Sequence, residues 1–149
     1  MTDSSPPRMK SRLAHQLAQP GGCSVDEAVR RAEAGIEARR EDAVREMSAV
    51  VERLADLCQT ARAADHGAVY GLATALVDVA GLLDTGPFYQ AAYSLCDVAD
   101  QMRASGRWSW PSVEVHVSAL RLVLRGPMTD AAGETLLSSL AAVKAHNRL

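Results

Sequence analysis

The residues most able to do chemistry in this chain are its four histidines, and His116 is the one placed most suggestively. It lies in the run Val113-Glu114-Val115-His116-Val117-Ser118-Ala119-Leu120-Arg121, which reads as a helix. A reactive histidine on a helical bundle would suggest phosphotransfer. On a helical projection, however, His116 falls beside Val113, Leu120 and Val123, while Glu114, Ser118, Arg121 and Arg125 share the opposite face. A phosphoacceptor has to meet its partner's active site, so the spacing predicts a core histidine. His66, in the turn after Asp65, is expected to be accessible and to serve the turn, with phosphoacceptor as its alternative role. His15 falls in an N-terminal tail, and His146 stands in a final helical turn, where a cation favours the helix dipole. No histidine pairs with a cysteine or a second histidine at ligand spacing, so neither a metal nor another cofactor is expected.

Asp78 and Asp97 occupy matching places in an internal echo. The segment from Tyr70 to Ala80 aligns with that from Tyr89 to Ala99 at an offset of 19, with six of eleven residues identical. Paired acids could exchange protons, but nothing in the sequence brings a base or nucleophile to them, and solvated or helix-bridging roles are expected. The most distinctive segment is Gly106-Arg107-Trp108-Ser109-Trp110-Pro111, which holds both tryptophans of the chain. Tryptophan and arginine are enriched at interface hot spots. Arg107, Trp108 and Trp110 are therefore candidate partner contacts, and the alternative is that the two rings plug the end of a bundle.

The elements that position these residues are helical. Ser24-Val25-Asp26-Glu27 fits a capping box and opens a helix with no strong break before Asp65-His66-Gly67. Between Asp26 and Glu46, 12 of 21 residues are charged, with acids four residues ahead of arginines as exposed helices favour. From Ala43 onward a broad apolar stripe appears, and the series Val29, Ile36, Ala43, Val50 and Leu57 at seven-residue spacing suggests a helix–helix seam. The charged half, including Ile36, Arg39 and Arg40, is expected to pair with another subunit as a homodimer, the alternative being that the seam packs on the protein's own bundle. Four further helices are expected, at about 68–83, 88–105, 110–125 and 130–147, separated by Gly-Pro or glycine breaks. The core is expected to use the second half of the first helix, then the second and fourth helices with the fifth or third. The fold class is all-α, an antiparallel four- or five-helix bundle with a long N-terminal helix over residues 24–149, preceded by a flexible tail over residues 1–23 that includes a possible short helix at Met9–Leu17.

Composition sets limits. With 48% apolar residues and 4% aromatics, one core rich in alanine and leucine suits 149 residues. A formal charge of −2 argues against a nucleic-acid partner. The apolar stretch Val69–Leu83 carries Asp78 and two glycines and looks too short for a bilayer. Three widely spaced cysteines, Cys23, Cys58 and Cys96, are as expected of reduced thiols, so a cytoplasmic address is expected, with no membrane contact.

The run from Asp84 to Asp97, followed by Gly106-Arg107-Trp108-Ser109-Trp110-Pro111 through His116 and Ala119-Leu120-Arg121, resembles a small alphaproteobacterial family whose members carry the label chemotaxis protein CheE. The similarity spans roughly residues 25–145. It implies a place in bacterial signalling and brings no catalytic residues with it. The chain is also similar to histidine phosphotransfer domains in being a helical bundle. Those domains usually place lysine and glycine three and four residues after their histidine, where this chain has Ala119 and Leu120. The expectation is thus a non-enzymatic signalling adaptor that binds a response regulator or kinase. The alternative is an atypical phosphotransfer protein using His116 or His66 as phosphoacceptor.

Overall fold

The computed structural model describes Gly22 and residues 24–83 and 86–147. The expected tail over 1–23, with its short helix at Met9–Leu17, lies outside the described residues apart from Gly22. Among the described residues there are five α-helices and no strand. They are α1 (Val25–Thr60), α2 (His66–Leu83), α3 (Pro87–Ser105), α4 (Trp110–Leu124) and α5 (Asp130–His146), with a 3-10 turn at Ala63–Asp65. The all-α bundle expected from the sequence is the observed fold.

The helix ends follow local chemistry. Ser24 Oγ accepts the Glu27 amide at 3.2 Å, but Glu27 turns its carboxylate to Arg31, so only half of the expected capping box forms. The helix α1 stops at Thr60, earlier than expected, because Ala61 takes a left-handed conformation (φ 48°) while its amide reaches Leu57 O. That conformation costs an alanine about 1 kcal/mol. The following turn is braced by Arg62 Nε donating to Asp65 Oδ2 at 3.1 Å, and α2 begins at His66 rather than 68. Gly106, at φ 68°, supplies the left-handed residue that ends α3. Ser109 and Thr129 cap α4 and α5 by accepting the amides of Ser112 and Ala132.

The chain divides after Ala38 into two compact units. In the first, the described residues are Gly22, Ser24 and the start of α1, and all but Glu27 are exposed. In the second, α3 is the central helix. It buries Phe88, Ala91, Ala92, Leu95, Val98, Ala99 and Met102, and it packs on α2, α4 and α5. This corrects the expectation that α3 was an optional core member. Its alanines let neighbours approach closely, while α5 buries only Gly133 and Leu140. The later part of α1 buries Met47, Val51, Leu54 and Ala55 and lies beside α4, where Arg121 Nε donates to Glu52 Oε1 at 2.9 Å.

The internal echo is also an echo of packing. Val69/Phe88, Ala73/Ala92, Leu76/Leu95 and Ala80/Ala99 are all buried, so α2 and α3 face each other through equivalent positions. By length and composition, the helical run Ala63–Leu83 is enough to cross a membrane, which the shorter apolar stretch had not suggested. In the bundle, one of its faces packs on α3 while Gly71, Asp78 and Leu82 are exposed.

Candidate functional site

The structure brings His66, Trp108 and Trp110 together at the end of the bundle where α3 gives way to α4. His66 stacks on Trp108 with ring centroids 3.9 Å apart and planes 12° from parallel. Trp110 meets Trp108 edge-on at 5.5 Å and His66 at 5.6 Å. Sequence reading treated His66 separately from the tryptophans, since His66 and Trp108 stand 42 positions apart in the chain. Only the pairing of the α2 start with the α3–α4 connection reveals the cluster. His66 is half-buried there, against the expectation of an open turn residue.

Both tryptophans pack against the core yet stay half-exposed, and Arg107 beside them is exposed. The Trp108 indole N–H is buried with no hydrogen-bond partner among the described residues. The connection is held rigidly: the Ser109 amide donates to Met102 Sδ at 3.2 Å, and the Ser109 and Ser112 hydroxyls are 2.9 Å apart. Ser112 Oγ accepts from Asn147 Nδ2 at 2.9 Å, which ties the start of α4 to the end of α5. Arg103 of α3 lies over the Tyr70 ring at 5.0 Å, a further α2–α3 contact.

His116 belongs to the same network rather than to a surface. It is 0% exposed. Its Nδ1 lies 2.8 Å from the Ser112 carbonyl, which can only accept, so Nδ1 carries the proton. Nε2, 3.0 Å from Ser94 Oγ, then accepts from the serine hydroxyl in the neutral ring. Burial pushes the imidazole below its ordinary value, against a smaller opposing effect of the Ser112 carbonyl. A ring with both nitrogens engaged inside the core is poorly placed to receive a phosphoryl group.

The remaining candidates are dispersed. Asp97 pairs with Lys144 of α5 and bridges helices, whereas its echo Asp78 is exposed. Arg39 and Arg40 are exposed on α1, as is Ile36, and none of the three takes part in a ring contact with the tryptophan cluster among the described residues. Burial, helped by the Glu114 charge, raises the Cys58 thiol, which keeps it protonated and unreactive. No group of three potential metal ligands occurs among the described residues.

At the opposite end of the bundle is a cleft of about 830 Å³ that sequence reading missed. Met47, Phe88, Met128 and Leu137 give it an apolar floor, and Arg40 and Glu134 supply charge. Its walls come from α1, α3, the end of α4, α5 and the α4–α5 connection, and no single sequence segment carries its signature.

Comparison with known protein families, characterised proteins and solved structures finds no match to this chain.

Proposed function

We propose that the protein is a non-enzymatic adaptor in a bacterial chemotaxis or two-component pathway, acting in the cytoplasm by binding a response regulator or kinase. The observation that carries the binding part is the aromatic cluster of His66, Trp108 and Trp110 beside exposed Arg107. Large rings held rigid by their neighbours and left half-exposed lose little freedom on meeting a partner, which is how such residues become hot spots. The pathway assignment rests on the family resemblance of residues 84–121. Non-enzymatic action is supported by the bonds that hold the best chemical groups in place, both His116 nitrogens and the Asp97 carboxylate.

The test is capture of purified response regulators and histidine kinases by the immobilised full chain, alongside its Arg107→Glu variant. Arg107 is exposed, so the variant should keep the thermal stability of the parent while losing at least about tenfold in affinity. Failure of every signalling protein to bind at tens of micromolar would overturn the assignment.

A further inference from the structure

The start of α1 carries an apolar stripe that nothing among the described residues covers. Val25 is 76% exposed and Ile36 67%, with Val29 and Val44 also exposed. At 3.6 residues per turn, Val25, Val29, Ala32, Ile36 and Ala43 fall in one narrow arc of the helix. One flank of that arc is charged, in the order Asp26, Arg30, Glu33, Glu37, Arg40, and the other begins with Ala28 and Gly35. Some charges on this stretch are satisfied within the helix, by Arg31 with Glu27 and by Arg45 with Asp42. Glu37, Arg39 and Arg40 have no ion pair among the described residues.

We infer that the occupant of this stripe is the α1 stripe of a second copy, running antiparallel, with Ile36 of each copy against Ala32 of the other. The charge order selects this arrangement. Two antiparallel helices bring the charged flank of one onto the same flank of the other. In this register Asp26 meets Arg40 and Arg30 meets Glu37, each twice, against a single like-charged contact of Glu33 with Glu33 at the two-fold axis. Val25 meets the small Ala43, and the stem of Arg39 lies over Val29 with its guanidinium near Glu27.

The alternatives are worse matched. Sliding the pair by one heptad in one direction sets Asp26 against Glu33 on both sides and Arg30 against Arg30. In the other direction it keeps only Glu33 against Arg40, sets Glu37 against Glu37 and leaves Asp26 without a basic partner across the seam. A parallel, in-register pair puts Arg39 on Arg39 inside the seam and leaves the charged flanks facing alanine and glycine. Like charges across a seam repel about as strongly as opposite charges attract, so register follows charge order.

This inference goes beyond partner capture through the aromatic cluster and does not depend on it, and its test separates the two. Sedimentation of the full chain should show a dimer at tens of micromolar. Asp26→Arg and Arg40→Asp should each weaken that dimer by at least about tenfold, because each change turns two attractions into two repulsions. Mixed together, the two variants should associate again. The arginine introduced in one chain then faces the aspartate introduced in the other, and the unchanged Arg40 of the first faces the unchanged Asp26 of the second. Both sites are exposed, and circular dichroism should show unchanged helix content. A strictly monomeric parent would overturn self-pairing, while leaving partner capture through Arg107 and Trp108 intact. A dimeric parent whose mixed variants do not recover would overturn the antiparallel register alone.

Discussion

Replacing Ser94 by alanine removes the hydroxyl that donates to His116 Nε2 at 3.0 Å and leaves that nitrogen buried with nothing to accept from. An unsatisfied buried acceptor costs about 1–3 kcal/mol. For a domain of this size that is a fall of roughly 3–12 °C in thermal midpoint. The partner change His116→Leu removes the ring altogether and keeps an apolar side chain in the core. Because the two residues share one bond, the double variant should be less destabilised than the two single changes added together.

Acid adds a second signature. The folded imidazole sits below its ordinary value, so above about pH 6.5 it is neutral whether the chain is folded or not, and its stabilisation is fully present. Below that, the unfolded chain takes up a proton that the folded chain resists, and stability is lost at up to about 1.36 kcal/mol per pH unit. Urea unfolding of the parent between pH 7.5 and 5 should therefore fall more steeply than that of His116→Leu, in which the other titrating groups are unchanged. Equal slopes, together with a Ser94→Ala cost below a few tenths of a kcal/mol, would refute the claim that this bond holds the core.

Trp108→Ala should destabilise the fold by about 1.5–3 kcal/mol in thermal melts, less than a fully buried tryptophan would, because the ring is half-exposed and stacks on His66. Gly71→Ala should stabilise by up to about 1 kcal/mol in urea unfolding, since Gly71 is mid-helix and an added Cβ meets nothing within 4 Å. Incubation with a phosphorylated response regulator, followed by mass spectrometry, should show no phosphate on His116, whose nitrogens are both committed in the core.

Much of the architecture was legible because helices announce themselves by period and punctuation. Gly106, Pro111 and Thr129 mark the helix ends that the structure shows. The inward face of His116 followed from its neighbours Val113 and Leu120. The central role of α3 was hidden because its face carrying Ser94 and Asp97 reads as polar, although Ser94 bonds to His116 of α4 and Asp97 pairs with Lys144 of α5. A polar residue satisfied across an interface looks the same in sequence as one satisfied by water. The early stop of α1 was illegible for a related reason: alanine is a strong helix former, and Ala61 leaves the helix only where the turn to α2 holds it.

The aromatic cluster and the buried polar network are two sides of one construction. Ser112 joins them: its carbonyl fixes His116, its hydroxyl bonds to Asn147 at the end of α5, and its amide is capped by Ser109, the residue between the two tryptophans. The position of α4 is thus set from three directions within one turn of Trp110. Hydrogen bonds of this kind contribute about 1 kcal/mol each to stability. Their larger effect is on geometry, because a ring whose backbone is pinned on both sides does not have to be ordered when a partner arrives. A bundle evolved only to be stable could fill the core with leucine at 94 and 116. A polar network at that position makes most sense where the end of the bundle must hold one shape.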